Sequence, residues 1–147
     1  IFKGMGSKLP VITLLVLAFS MGEIIQRLGT GIYISTLFSN SLNEKTVVIS
    51  LFLISCLIAF ATGSSWGTFA IMVPIGMTIS ENFIEAQPVF LASVLGGGIF
   101  GDHCSPISDT TIISSMASGS GHIDHVRTQL PYALISALIS IIIYTII

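Results

Sequence analysis

Charge is what this sequence has least of. Lys, Arg, Asp and Glu make up 8% of its 147 residues, where a soluble domain carries about a quarter. So few charges cannot cover a folded surface with solvated groups. With 52% hydrophobic residues and a mean hydropathy of +0.97, the chain is built for a bilayer. Its five basic residues form no run and the net charge is −2, so nothing favours nucleic acid or a polybasic lipid anchor. Cysteine is limited to Cys56 and Cys104, both in apolar or near-apolar stretches, which argues against a disulfide framework. No CxxC or HxxxH accompanies the His103-Cys104 pair, and His122 and His125 lie beyond the apolar segments. A zinc or copper site of soft ligands would be short of donors. The apolar run after Lys3 to Pro10 lacks a small-residue cleavage site, so it does not read as a signal peptide. Because apolar sequence continues to Ile147, we expect a piece of a longer membrane protein.

Long apolar segments are present instead. Residues 9–26 read as one span, followed by Arg27 and a Gly29-Thr30-Gly31 break; 32–38 is short enough for an interfacial arm. Residues 46–80 are too long for one crossing: a continuous helix would run about 52 Å against a hydrocarbon core of about 30 Å. The run Thr62-Gly63-Ser64-Ser65-Trp66-Gly67-Thr68 interrupts them, predicting a helical hairpin with Pro74 kinking its second limb. Residues 88–118 read as one broken span, with about eight unwound residues around Asp102 to Asp109. Pro106 would there free the Asp102 carbonyl, and Gly96 to Gly98 would let a neighbouring helix approach closely. Residues 130–147 supply a last span. The predicted fold class is an all-α integral membrane protein, a multi-span bundle containing a helical hairpin and a discontinuous transmembrane helix.

The polar residues inside these segments carry the functional reading. An aspartate in hydrocarbon costs about 2.5–3.5 kcal/mol even on an insertion scale, so intramembrane carboxylates usually face a pathway or a site. Asp102 and Asp109 are two such carboxylates, and both are candidate Na+ ligands. Two interrupted helical elements with Gly/Ser/Thr-rich breaks form the pattern of secondary transporters, whose half-helix ends bind ions. The hydroxyls of Thr62, Ser64, Ser65, Thr68, Ser105, Ser108 and Thr110 would complete a shell of hard oxygen ligands suited to sodium. A buried carboxylate holds either a proton or a bound cation, the basis of exchange. Asp109 has a structural alternative as a helix N-cap. His103 is a proton-relay candidate, with satisfied packing as its alternative. Glu23 either joins the cavity or emerges at the interface, and Trp66 either lines the site or anchors at the membrane surface.

Three motifs carry a family resemblance. ATGSSWGTFAIMVPIG at Ala61 to Gly76, GGGIFGDHCSPISDTTIISS at Gly96 to Ser115 and LAFSMGEIIQRLGTG at Leu17 to Gly31 closely resemble the NhaC-type sodium/proton antiporters of the ion-transporter superfamily. The resemblance implies a multi-pass carrier of the bacterial inner membrane, made of two inverted repeats whose hairpins and broken helices meet near the midplane. This chain would be mainly the second repeat. Its expected partners are membrane lipid, the missing N-terminal repeat and, as a candidate, a second copy in a homodimer. No cofactor is expected beyond the transported Na+ and H+.

The function expected is sodium/proton antiport, not enzyme catalysis. A malate/lactate-like organic acid or amino acid antiporter is the alternative, although Lys and Arg are absent from both breaks and an organic anion would rely on half-helix N-termini. An intramembrane aspartyl protease is the remote alternative. Its GxGD motif fails at Ile99, and its two aspartates should come from separate helices.

Overall fold

The computed structural model describes residues 43–81 and 83–147, together with residues 16, 20, 24 and 27–29. Most of the span expected at 9–26, Glu23 and the 32–38 arm lie outside the described residues. Among the described residues the structure is all-helical. Its elements are α1 (Glu44–Thr62), α2 (Ser65–Ser80), a 3-10 turn (Ile84–Ala86), α3 (Gln87–Cys104), α4 (Asp109–Ser118) and α5 (His122–Ile146).

Local chemistry sets these boundaries. α1 ends at Gly63, whose φ of 66° lets its N–H return to the Ala59 carbonyl, a left-handed cap that glycine adopts without a Cβ penalty. One residue later Ser64 starts α2, its hydroxyl accepting from the Gly67 N–H at 3.2 Å. α2 runs on through Pro74, which lacks the N–H that would have served the Ala70 carbonyl. Pro88 stands in the first turn of α3, where a missing N–H costs little. Gly119 closes α4 with φ 67°, and the Ser120 N–H reaches the Ser115 carbonyl at 3.1 Å, completing a Schellman cap.

Among the described residues, three helical stretches are long and apolar enough to cross a membrane: α1, Ile84–Cys104 and α5. α4, with ten residues, covers only about 15 Å.

α3 is the centre of the bundle, and its glycines set the packing. A Cβ on Gly97 or Gly101 would run into the Phe52 or Cys56 carbonyl of α1, so the two helices meet backbone to backbone along a GxxxG seam. Gly98 instead faces Phe69 of α2, and Gly96 faces Tyr144 of α5. Three consecutive glycines thus admit three different neighbours. The expectation of one helix approaching Gly96 to Gly98 is widened accordingly. The buried apolar core joins Val47, Val48 and Leu51 of α1 with Met72 and Ile79 of α2 and Phe90 and Val94 of α3. α5 attaches through Tyr144, edge-on to Phe52 at 5.6 Å. Lys45 Nζ donates to the Thr145 and Ile146 carbonyls, both at 3.0 Å, placing a cation at the negative end of α5.

Candidate functional site

The break expected within residues 88–118 is present but half as long as predicted. Helical geometry continues through Asp102 to Cys104 and resumes at Asp109, leaving Ser105, Pro106, Ile107 and Ser108 between. Nor is the Asp102 carbonyl freed: the Ser105 N–H is shared between the Gly101 and Asp102 carbonyls, at 3.0 and 3.2 Å. A tighter last turn replaces the lost bond, as at many helix ends.

Asp102 lies in that last turn and is 2% exposed. Ser108 Oγ donates to its Oδ1 and Thr110 Oγ1 to its Oδ2, both at 2.8 Å, while the two hydroxyl oxygens are 2.7 Å apart. Ser108 is also the N-cap of α4, its oxygen 3.5 Å from the Thr111 N–H. The carboxyl group of one half-helix is therefore held by the first turn of the next. No Lys or Arg occurs in the sequence between Lys45 and Arg127. The His103 ring is the near titratable neighbour, with Nδ1 3.9 Å from Asp102 Oδ2 and 52% of the side chain exposed. That separation is too long for a hydrogen bond.

Asp109 does not join this cluster. It is exposed, and its Oδ1 accepts from the Thr110 N–H at 2.8 Å. The N-cap role considered for it belongs to Ser108. Ser105 is buried and donates to the Phe60 carbonyl at 2.8 Å, serving one of the unpaired carbonyls that end α1. In the α1–α2 turn, Thr62 donates to the Ile58 carbonyl at 2.8 Å and Thr68 to the Ser64 carbonyl at 3.0 Å. Ser64 caps α2, and Ser65 is half-buried in its first turn. The hydroxyls of Thr62, Ser64 and Thr68 bond to local backbone and not to Asp102. Trp66 is 61% exposed, edge-on to Phe69. Cys104 is buried while adjacent His103 is exposed, so the pair does not present a common face to a metal.

Although their hydroxyls stay apart, the two interruptions touch. A Cβ on Gly63 would sit 2.8 Å from the Ile107 carbonyl oxygen, so the hairpin turn rests on the backbone of the break. Sequence reading missed the residue that fixes the other side, His122. Its Nε2 lies 2.6 Å from the Pro106 carbonyl and its Nδ1 3.2 Å from Ser115 Oγ. Its place in a polar loop gave no sign of a contact sixteen positions back. Through it, the start of α5 stands level with the break at the ends of α1 and α3. A separate cavity of about 370 Å³, lined by Glu44, Phe83, Ile84, Glu85, Ala86, Val89 and Ile147, lies at the opposite ends of α1 and α3.

The arrangement offers one buried carboxyl group with neutral hydroxyls around it. An uncharacterized protein of Haemophilus influenzae is 43% identical over 88% of this chain and 25% of its own length. The malate-2H(+)/Na(+)-lactate antiporter of Bacillus subtilis is 28% identical over 100% of this chain and 31% of its own. An uncharacterized Na(+)/H(+) antiporter of H. influenzae is 31% identical over 67% of this chain and 22% of its own. This chain thus spans between about a fifth and a third of the relatives it matches. No solved structure matches it. Antiporters among the relatives, apolar helices of spanning length and the family match point to a membrane transporter. The Na+/H+ antiporter family matches residues 1–147, and the chain belongs to that family.

Proposed function

We propose that this chain carries the ion-exchange site of an NhaC-type sodium/proton antiporter of the bacterial inner membrane. Asp102 binds a proton on one side and sodium on the other as the protein alternates access. The observation that carries this reading is the buried Asp102 carboxyl group, bonded through both oxygens to hydroxyls in a stretch free of Lys and Arg. A Lys or Arg in this stretch would hold the carboxylate ionised; without one, the segment leaves the charge open to an exchangeable ion. Asp109, exposed at the start of α4, stands as a second carboxylate on the ion's approach. The hydroxyls of Ser105, Thr62, Ser64, Ser65 and Thr68 form the surrounding polar wall, with His103 as a relay to water. An inverted N-terminal repeat of the same protein supplies the facing half of the site, lipid covers the outer surface, and a second copy is the candidate oligomeric partner.

The test is dissipation of a preformed proton gradient in everted vesicles containing the complete protein. Sodium alone should release protons, and Asp102→Asn should abolish the response. Full exchange in Asp102→Asn would sink the proposal. A second reading has its own support: the B. subtilis relative is named for malate and lactate. A response that requires an organic acid or amino acid, with none to sodium alone, would move the assignment to a metabolite carrier.

A further inference from the structure

Apolar packing within this chain does little to place α4. Of its ten residues only Thr111 and Ser115 are buried, while Ile112, Ile113 and Met116 are exposed. Hydrophobic stabilisation grows with the apolar area removed from water and carries no direction, so a helix that buries only hydroxyl residues draws little position from it. Yet Ser108, the N-cap of α4, and Thr110, in its first turn, hold their oxygens 2.8 Å from the two carboxyl oxygens of Asp102. Polar contacts must therefore locate the segment that carries them.

The contacts converge on one imidazole. His122 Nε2 lies 2.6 Å from the Pro106 carbonyl oxygen and Nδ1 lies 3.2 Å from Ser115 Oγ. A carbonyl only accepts, so Nε2 carries a hydrogen and donates it. Pro106 precedes Ser108 and Thr110 in the chain and Ser115 follows them, so a single ring grips the segment on both sides of the two hydroxyls. Ser115 is itself fixed, its hydroxyl 2.8 Å from the Ile112 carbonyl and its own carbonyl 3.1 Å from the Ser120 N–H. His122 is the first residue of α5, so the ring also ties the segment to a helix of spanning length.

We propose that His122 is a positioning residue of the exchange site: it sets where Ser108 and Thr110 stand against Asp102 and does not touch the ion. The role rests on the reading of Asp102 as the exchange site, and it requires no change in the charge of the ring. Misplacing a positioned group by about 1 Å can cost on the order of 100-fold in function. Loss of the ring should therefore register in the site and not only in stability.

The complete protein, purified and reconstituted in proteoliposomes, tests this through the sodium concentration for half-maximal exchange, the maximal rate and the melting midpoint. His122→Ala should raise the half-maximal sodium concentration about threefold to tenfold, the worth of one hydrogen bond, with a smaller change in maximal rate. Ser115→Ala, which leaves the bond to Pro106, should move it the same way by less. His122→Gln, whose amide can still donate to a carbonyl, should restore part of the loss. His125→Ala, on the same turn of α5, should leave it unchanged. An unchanged value in His122→Ala overturns the proposal whatever the melting midpoint does, as does an equal rise in His125→Ala. Should His122→Ala fail to fold, an unchanged value in both His122→Gln and Ser115→Ala overturns it. A protein that answers to an organic solute and not to sodium alone ends the sodium/proton reading; the half-maximal concentration of that solute is then compared, and its rise in His122→Ala supports the positioning role while its constancy overturns it.

Discussion

Gly63 and Gly119 have almost the same backbone conformation, φ 66° and 67°, yet they are not equally replaceable. A non-glycine residue in the left-handed region costs about 1–2 kcal/mol, and at Gly119, where a Cβ would meet nothing within 4 Å, that is the whole cost. At Gly63 the Cβ would also press on the Ile107 carbonyl at 2.8 Å, in the backbone that leads to Ser108. Gly63→Ala should therefore lower the thermal midpoint of the detergent-purified protein more than Gly119→Ala, and should also weaken exchange. Equal losses of stability would mean that the break yields freely to the hairpin turn. Ser108 carries two duties at one atom. Its replacement by alanine should cost about 0.5–2 kcal/mol as a lost cap, whereas Ser108→Thr keeps the hydroxyl and should keep most of that stability in the same melting assay.

At the scale of elements, the α1–α3 seam decides where the break can sit. Gly97 and Gly101 are four residues apart on one face of α3, and each has an α1 carbonyl where a Cβ would go. Forcing a methyl group into such a contact costs about 1–3 kcal/mol. Gly97→Ala and Gly101→Ala should each lower the melting midpoint clearly. Gly96→Ala, whose Cβ would lie 3.3 Å from the Tyr144 hydroxyl, meets a movable side chain and should be milder; the reverse order would refute the seam. Much of this was legible in the sequence. The run from Gly96 to Thr111 announced itself by small and polar residues in an apolar setting, and Asp102 by the cost of burying a carboxylate. The length of the break was not legible, because Pro106 rules out only a regular bond to the Asp102 carbonyl, and a tighter turn through the Ser105 N–H absorbs that loss. Equally hidden were the bonds from Ser105 to Phe60 and from His122 to Pro106. Such contacts join distant positions through ordinary residue types and leave no periodic mark.

For the molecule as a whole, α5 relates the site to the membrane. Its 25 residues extend about 37 Å, more than a hydrocarbon core of about 30 Å, and its charged residues and histidines all lie at the His122 end. The other part exposes Leu138, Ile139, Ile142 and Ile143, a face suited to lipid or apolar protein. Because His122 holds the Pro106 carbonyl, the break belongs to the polar end of α5 and not to its apolar middle. The resemblance had implied a meeting near the midplane; the contact between His122 and Pro106 instead predicts a break nearer one membrane face. Accessibility to a membrane-impermeant maleimide in the complete protein, with any cysteine outside this chain replaced, measures this directly, since Cys56 and Cys104 of this chain are buried. Cysteine at Ile107, which is 61% exposed, and cysteine at Ser120, in the loop between α4 and α5, should react from the same side of the membrane. Cysteine at Ile142 should react from neither. Labelling of positions 107 and 120 from opposite faces would separate the break from the start of α5, and the His122 contact could not then persist in the membrane.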